Sequence, residues 1–442
     1  MLAREIRTYH RPSELPEALE LVRGGAVPLA GGTRLLASSA ELPEVVDLCG
    51  LGLARIAGDR GDLRLGAMTP LQDVIDSAEA YGPTAGLLPV ACRARSASRM
   101  VRGMATIAGE SIAGVEDGDV AVALLALNGV FVLADREGPV EVPAARFLRD
   151  PAADLRGGRL VTTVVVPGPP DGAAFERLAV LPSAPSLVSV AAAVSLSGDK
   201  CVRVRIAIAG LAGRPARVPE AEAAVEATAC DGDPLARCRE RIASRAFRGD
   251  AHASAEYRRQ VAGVLVERAV RRAVAAARAR RAAAPRPRRL PSTPATSPIR
   301  GFTGGEVSLD VNGAPRRART RAGATLLELL RAEGFWGVKH GCETGECGAC
   351  AVLLDGRPVC ACITLAARAA GRSIETVEGL GDPDHLHPVQ EAFVDTGAIQ
   401  CGFCTPAMEL AAKALIEAVP DPTEDDARDA LAGCLCRCTG YV

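Results

Sequence analysis

Several signals are absent from this 442-residue sequence, and each absence excludes a class of protein. The first fourteen residues, MLAREIRTYHRPSE, are charged and lack an apolar core, so no secretory signal is expected. The longest apolar run, 120–134, has 15 residues and is interrupted by Asn128 and Gly129. A membrane-spanning helix needs about 20 apolar residues, so no membrane span is expected. These features predict a soluble, cytoplasmic protein.

A strong net charge is also missing. The 52 basic and 53 acidic residues give −1 at pH 7, which argues against a general nucleic-acid binder. Hydrophobic residues make up 48% and charged residues 24%, so a mostly disordered chain is excluded. Residues 1–302 carry a net charge of +7 and residues 303–442 a net charge of −8. Opposite charges would favour docking of the two parts, although unequal charge between domains also arises without that role.

Two kinds of motif are missing as well. There is no G-x-G-x-x-G fingerprint, so a Rossmann dinucleotide site is not supported, and no repeat of fixed period is visible. None of the five histidines lies in a catalytic constellation, and His340, beside a cysteine-rich loop, is expected to be structural. The histidines therefore predict no general acid or base within this chain.

One boundary is clear, because the segment 285–301 has five prolines in 17 residues. Such a segment forms neither a helix nor a central strand, and it reads as a semi-extended linker that reaches at most about 50–55 Å. An Arg-rich helix is predicted over 256–284, where a solvated face fits better than a nucleic-acid patch. After the linker, Asn312-Gly313 and Asp355-Gly356 predict two hairpins, and Thr423 predicts a helix N-cap. The predicted domains are an α/β domain at 1–172, an α+β domain at 173–284, the linker at 285–302, a strand-rich domain at 303–380 and a helical domain at 381–442.

Ten of the fifteen cysteines lie between Cys342 and Cys438, and the other five are expected to be packing residues: Cys49, Cys92, Cys201, Cys230 and Cys238. In a reducing compartment, a dense cysteine block more often binds metal or performs redox chemistry than forms a disulfide scaffold.

The first set of cysteines has the C-x4-C-x2-C spacing of a plant-type [2Fe–2S] cluster, with a fourth thiol further on. Its members are Cys342, Cys347, Cys350 and Cys362. Four thiolates must converge on two irons, and glycines let the loop wrap the cluster and donate N–H groups to sulfur. The second set, Cys401, Cys404, Cys436 and Cys438, combines a C-x2-C with a C-x-C chelate and by itself fits either zinc or a second cluster.

The segments GCETGECGAC, VCACITL, QCGFCTPAM and LCRCTGY, within 305–441, resemble the two-cluster iron–sulfur module of the xanthine dehydrogenase (molybdenum hydroxylase) family. The resemblance implies a β-grasp domain holding one [2Fe–2S] cluster through the first cysteine set. It also implies a four-helix domain holding a second cluster through the second set, with Gln400 between that cluster and a molybdenum cofactor. Cys360 and Cys434 are additional cysteines, expected to pack but conceivable as alternative ligands, and Ala407 replaces a usual glycine.

Residues 1–285 resemble the FAD-binding medium subunit of the same family through AGGTRLL, LPEVVDLCGL, LRLGAMTPL, RGMATIAGESI, DVAVALLALNGVFVL and YRRQVAGVLVERAV. The resemblance implies a two-part flavin domain followed by an α+β cap, with an acidic flavin-site residue at Asp119. The implied diphosphate loops are Ala30, Gly31, Gly32, Thr33, Arg34, Leu35 and Leu36, and then Thr106, Ile107, Ala108, Gly109 and Glu110. Free N–H groups and the lack of Cβ atoms in such loops would suit a diphosphate.

The second loop departs from the family pattern TIGGN. Ala108 adds a Cβ where backbone must approach phosphate, and Glu110 places a carboxylate near a dianion. At 4–6 Å that repulsion is about 3–4 kcal/mol before screening. Arg102, Arg99 or Arg34 would offset it.

The resemblance implies an electron-transfer subunit with two [2Fe–2S] clusters and FAD. A separate molybdopterin-binding large subunit would hydroxylate the substrate, and electrons would pass through the second cluster, then the first, to FAD and an acceptor such as NAD⁺, a quinone or O₂. A dimer of heterodimers is the expected assembly. One alternative is an iron–sulfur subunit whose flavin domain is vestigial and serves for docking, and another is a self-contained reductase.

Overall fold

The computed structural model describes residues 5–38, 41–59, 61–113, 118–181, 184–230, 232–279 and 296–441. Its strands, in chain order, are β1 (Thr8–Arg11), β2 (Val27–Leu29), β3 (Glu44–Asp47), β4 (Ile56–Asp59), β5 (Asp62–Gly66), β6 (Val130–Asp135), β7 (Gly138–Pro143), β8 (Leu160–Val166), β9 (Gly172–Ala179), β10 (Ser186–Ser197), β11 (Lys200–Ala209), β12 (Ala216–Arg217), β13 (Ile299–Phe302), β14 (Gly304–Val311), β15 (Ala314–Arg321), β16 (Ala351–Leu354), β17 (Arg357–Cys360) and β18 (Ser373–Glu375). Its helices are α1 (Leu15–Arg23), α2 (Leu71–Asp76), α3 (Ala78–Thr84), α4 (Leu87–Ala94), α5 (Arg99–Met104), α6 (Ile107–Ala113), α7 (Asp119–Ala126), α8 (Ala144–Phe147), α9 (Pro151–Asp154), α10 (Pro219–Val225), α11 (Gly232–Ala243), α12 (Ala255–Ala279), α13 (Leu326–Ala332), α14 (Pro388–Asp395), α15 (Thr405–Ala418) and α16 (Glu424–Leu431).

The chain forms two compact units that do not follow sequence order. The first unit combines residues 1–52, 97–105 and 288–442, and the second combines 53–96 and 106–287. The first unit therefore joins the start of the chain and one short internal segment to both cysteine-rich regions.

Two sheets organise the first unit. One has the order β13-β1-β3-β2, in which β1 pairs in parallel with β3 and antiparallel with β13. The other has the order β15-β14-β18-β16-β17, and α13 contributes buried leucines to the apolar core beneath it. Helices α14, α15 and α16 follow, and α15 packs against β16.

The second unit also has two sheets. The sheet β4-β5-β8-β6-β7 is antiparallel, and α8 packs against its strands β6 and β7. Helix α7 packs on β10 and β11 of the other sheet. The sheet β12-β11-β10-β9 is covered by α12, which packs on β9 and β10. Gly172 permits that close packing, because a methyl group there would lie 2.5 Å from the Ala277 amide nitrogen.

The two hairpins predicted from the turn residues Asn312-Gly313 and Asp355-Gly356 are confirmed. Asn312 (φ 57°) and Gly313 (φ 76°) join β14 to β15, and Asp355 (φ 51°) and Gly356 (φ 75°) join β16 to β17. Paired positive φ angles match the twist of antiparallel strands, which is why Asn-Gly and Asp-Gly predict hairpins. The N-cap predicted at Thr423 is confirmed, since its side chain accepts a hydrogen bond from the Asp426 amide.

Four predictions need correction or restriction. The end of the predicted linker forms β13, an edge strand, while residues 285–295 lie outside the described residues. Residues 381–441 contain three described α-helices rather than four. Cys201 and Cys230 form a disulfide and are not simply packing residues. The helix predicted over 256–284 is described to Ala279 only.

No helix among the described residues is long and apolar enough to cross a membrane.

Candidate cofactor sites

The first cysteine set comes together in one chain of thiol contacts. Hydrogen bonds from the Cys347 and Cys362 side chains lower the pKa of Cys342, and Cys362 also bonds to the Cys350 side chain. The Cys347 amide donates to Cys342 Sγ at 3.3 Å, and the Cys362 amide donates to Cys350 Sγ at 3.4 Å. Four thiols with backbone N–H groups aimed at their sulfurs form the donor set that a [2Fe–2S] cluster requires.

The loop that carries these thiols depends on glycine. A methyl group at Gly341 would lie 2.7 Å from Cys347 Sγ. Gly345 and Gly348 have φ angles of 81° and 69°, a region that residues with a Cβ rarely adopt. The loop can therefore wrap closely around its thiols only with glycine at these positions.

The second cysteine set forms two thiol pairs. The side chain of Cys401 bonds to that of Cys438, and Cys404 bonds to Cys436. The Thr439 hydroxyl and amide donate to Cys436 Sγ at 3.3 and 3.4 Å and lower the pKa of that thiol to about 7. The Cys436 amide donates to the Tyr441 hydroxyl at 2.7 Å, so the end of the chain helps to hold this site.

The second set is arranged as two thiol pairs, Cys401 with Cys438 and Cys404 with Cys436. A structural zinc site would require four ligands around one point, whereas a [2Fe–2S] cluster is bound by thiol pairs on two irons.

The sites differ in exposure. Cys350 and Cys362 of the first set are buried, whereas Cys401 and Cys438 of the second are exposed. Gln400 is also exposed and immediately precedes Cys401. The second site therefore lies at the surface of its unit, where a partner could reach it.

The two additional cysteines are held by the protein. Cys360 Sγ donates to the Gly345 carbonyl at 3.4 Å, and Cys434 is buried, which raises its pKa to about 12. Strand β17 ends at Cys360 and residues 361–363 form a 3₁₀ turn, so Cys360 and Cys362 do not lie on one regular strand. Cys360 also makes a side-chain hydrogen bond with the proposed ligand Cys350, so it lies beside the first cysteine set, whereas the burial of Cys434 agrees with a packing role.

The first flavin loop offers backbone donors. Gly32 has a φ of 77°, and the Leu36 amide donates to the Gly32 carbonyl at 2.9 Å. Among the described residues, the amides of Gly32 and Thr33 donate to no acceptor within the protein; Gly32 is buried and Thr33 is partly exposed. This loop fits a diphosphate group.

The second flavin loop differs from the prediction of free N–H groups. The Ile107 amide donates to Thr69 O, Ala108 to Ala67 O, Gly109 to Thr106 Oγ1 and Glu110 to Thr106 O. Residues 107–113 form α6, so these donors are used within the unit. In this arrangement the loop does not fit a diphosphate.

Glu110 is compensated by an arginine that sequence reasoning missed. Its carboxylate lies 2.6 Å from Arg95 Nε, and the carboxylate is buried. Arg102 and Arg99, two of the predicted partners, instead form ion pairs with Asp429. No local pattern marks Arg95, because it lies 15 residues away at the end of α4.

Asp119 starts α7 and is engaged inside the second unit. The Ser186 hydroxyl donates to its carboxylate at 2.6 Å, and Arg177 Nε lies 3.8 Å away. Its carboxylate is buried, so these contacts fix its position.

A buried ion pair next to the first flavin loop was not predicted. Arg368 donates to both carboxylate oxygens of Asp47, at 2.6 and 2.7 Å, and also to the Ala30 carbonyl, while Tyr9 donates to Asp47 at 2.8 Å. Arg11 donates to the carbonyls of Arg368 and Ala370, both at 3.0 Å. The carboxylate that ends the apolar strand EVVD was the available sequence signal, because a charge there needs a partner.

Four protein families match successive parts of the chain. Residues 4–169 match the family described as "FAD binding domain in molybdopterin dehydrogenase", and 173–273 match "CO dehydrogenase flavoprotein C-terminal domain". Residues 309–371 match "2Fe-2S iron-sulfur cluster binding domain", and 376–442 match "[2Fe-2S] binding domain".

Each individual relative matches either the iron–sulfur part or the flavin part of the chain. The nicotinate dehydrogenase small FeS subunit of Eubacterium barkeri is 45% identical over 137 residues, which are 31% of this chain and 87% of the relative. The nicotine 6-hydroxylase small subunit of Paenarthrobacter nicotinovorans is 50% identical over 137 residues, 31% of this chain and 82% of the relative. A solved CO dehydrogenase chain from Oligotropha carboxidovorans has 30% identity and a TM-score of 0.55, covering 60% of this chain and 97% of that one. The chain belongs to the xanthine dehydrogenase (molybdenum hydroxylase) family, and it joins that family's FAD-binding and two-[2Fe–2S] electron-transfer components in one polypeptide.

Proposed function

We propose that this electron-transfer subunit takes electrons from a separate molybdopterin-binding large subunit at its exposed second cysteine set. The grouping of four thiols at two sites of one flavin-domain chain carries the proposal. The exposure of Cys401, Cys438 and Gln400 supports entry at the second site, while the burial of Cys350 and Cys362 suits an internal carrier. Iron–sulfur clusters supply one-electron transfer, and bound FAD would exchange electrons with an acceptor such as NAD⁺, a quinone or O₂.

The residues of the chain have separate tasks in this proposal. Cys342, Cys347, Cys350 and Cys362 hold the first cluster, and Cys401, Cys404, Cys436 and Cys438 hold the second. We assign the FAD diphosphate to the amides of the loop Ala30–Leu36, and we assign Asp119 the role of the acidic flavin-site residue. Hydrogen bonds to sulfur from the Cys347, Cys362 and Thr439 amides tune the cluster potentials.

The substrate is set by the partner. Relatives of this chain carry the names nicotinate dehydrogenase, nicotine 6-hydroxylase and CO dehydrogenase, which differ widely in substrate. We therefore assign this chain to electron transfer and place substrate hydroxylation on the large subunit, in a cytoplasmic dimer of heterodimers.

A second candidate is an iron–sulfur subunit with a flavin-poor docking domain. The engaged amides of Ile107, Ala108, Gly109 and Glu110 favour it, because they leave the second loop without donors for a phosphate. Purification of the native complex with iron and flavin analysis decides between the two. About four irons and one flavin per chain support the first proposal, about four irons without flavin support the second, and fewer irons contradict both.

Replacement of Glu110 separates its two roles. Glu110→Gln removes the charge opposite Arg95 and is expected to lower the free energy of unfolding by about 3 kcal/mol, since one partner of a buried pair is lost. If Glu110 also repels the diphosphate, the same variant binds FAD more tightly, which fluorescence titration measures. Arg95→Met is the matched control, because it breaks the same pair but keeps the carboxylate. Equal FAD affinity in both variants would rule out the repulsion.

A further inference from the structure

The short helix α5 belongs in sequence to the flavin half but folds into the unit that contains both cysteine-rich domains. Ser98 caps it, because its hydroxyl accepts a hydrogen bond from the Val101 amide at 3.3 Å. Met100, Arg102 and Met104 point away from solvent and are buried. The segment Ser98–Met104 is therefore mostly buried, and its side chains pack against neighbouring parts of the unit.

One neighbour is the first cluster site. The Cys360 amide donates to Met104 Sδ at 3.4 Å, two residues before the proposed ligand Cys362. A methyl group at Gly348, in the loop between Cys347 and Cys350, would lie 2.7 Å from Met100 Cε. The helix thus touches this site from two directions.

A second neighbour is the approach to the second cluster site. A methyl group at Gly433 would clash with Ser98 Oγ and lie 3.0 Å from Ser98 Cβ. Asp429, on α16, lies 2.8 Å from Arg102 Nη2 and 3.4 Å from Arg99 Nη1. Since Arg102 is buried, this ion pair ties the helical domain firmly to α5.

The third neighbour is the first flavin loop. A methyl group at Gly31 would clash with the Met104 carbonyl oxygen and lie 3.1 Å from Ala105 Cα. The obstacle is backbone on both sides, so it cannot move aside as a flexible side chain could. Only glycine at 31 lets the loop lie this close to the end of α5.

We propose that Ser98–Met104 is a common spacer that sets the separation of the three cofactor loops, and that Ser98, Met100 and Met104 are positioning residues for electron transfer. The inference rests on the proposed function, because it assumes that those loops hold carriers. Each contact is close-packed, and packed interiors transmit displacement instead of absorbing it. A displaced spacer would therefore change the distances between carriers without removing any cofactor ligand.

The spacer role is tested on the full-length chain with its cofactors, with a pair of substitutions at two residues that touch. Gly433→Ala adds the methyl group that meets Ser98, and Ser98→Gly in the same chain removes the Ser98 atoms that it meets. Gly103→Ala is the matched control, since it lies on α5 itself and nothing lies within 4 Å of its added methyl group. Iron content is measured by metal analysis, and the magnetic interaction between the two reduced clusters is measured by electron paramagnetic resonance.

Gly433→Ala is expected to keep about four irons and to change the splitting that arises from the neighbouring cluster. The double variant Gly433→Ala with Ser98→Gly is expected to return the splitting to the parent value, and Gly103→Ala to leave it unchanged. Full iron with unchanged splitting in Gly433→Ala overturns the inference, and so does a parent chain whose two clusters show no interaction. The proposed function is judged separately, by iron and flavin content of the parent.

Discussion

Replacement of Arg368 with methionine is expected to lower the free energy of unfolding by about 3–5 kcal/mol, because it leaves a buried carboxylate without its cationic partner. Asp47 is 0% exposed and receives two hydrogen bonds from Arg368. Arg368 also donates to the Ala30 carbonyl, so the variant should hold the first flavin loop less firmly and lose FAD more readily. Urea unfolding and FAD fluorescence measure the two effects.

The control for this prediction is Arg428→Met. Arg428 pairs with Glu424 at 2.5 Å, but both side chains are more than two-thirds exposed. Exposed pairs contribute about 0–1 kcal/mol, so this variant should unfold almost like the parent. An equal decrease in the free energy of unfolding of both variants would mean that burial of the Asp47–Arg368 pair contributes nothing to stability.

The pH dependence of the Arg368 variant has a definite sign. Burial alone would raise the pKa of Asp47. The charge of Arg368 and its hydrogen bonds lower the pKa by more than burial raises it, so the pKa lies below its ordinary value. The pair therefore stabilises the parent above the unfolded pKa, and this stabilisation is lost as the pH falls through the lowered folded pKa. Without Arg368 the main charge that lowers this pKa is gone while burial still raises it, so the pKa of Asp47 is expected to be higher in the variant than in the parent. The difference in the free energy of unfolding between parent and variant should therefore narrow as the pH falls below neutrality.

Replacement of Cys350 with serine is expected to remove the first cluster and lower the iron content from about four to about two atoms per chain. Cys350 lies in hydrogen-bond contact with Cys362, and both residues are buried. Cys360→Ser is the matched control, because Cys360 is an equally buried thiol that bonds to the Gly345 carbonyl. If the Cys360 variant loses iron and the Cys350 variant keeps it, then Cys360 is the cluster ligand and Cys350 is not.

Local chemistry made the hairpins and caps predictable. The Asn312-Gly313 turn needs only two neighbouring residues with positive φ, and the Thr423 cap needs only its own helix. The thiol spacing of Cys342, Cys347 and Cys350 is likewise a property of one loop. Each of these features is determined by residues close together in sequence.

The remaining features depend on residues far apart. Asp47 and Arg368 are 321 positions apart, and no window of sequence connects them. The second flavin loop looked open because its sequence does not show that the Ala67 and Thr69 carbonyls take up its donors. The role of α5 was hidden for the same reason, since its partners lie in three separate parts of the chain.

Strand β1 has a consequence for synthesis of the protein. It pairs with β3 along one edge and with β13 along the other, and β13 lies about 290 residues later. At about 5–20 residues per second, translation of that interval takes roughly 15–60 seconds. During this time the outer edge of β1 has no strand to cover it, and such edges promote aggregation. A chain that is terminated before residue 299 would therefore keep an uncovered sheet edge. The N-terminal sheet is protected against aggregation at this edge only after translation has passed β13.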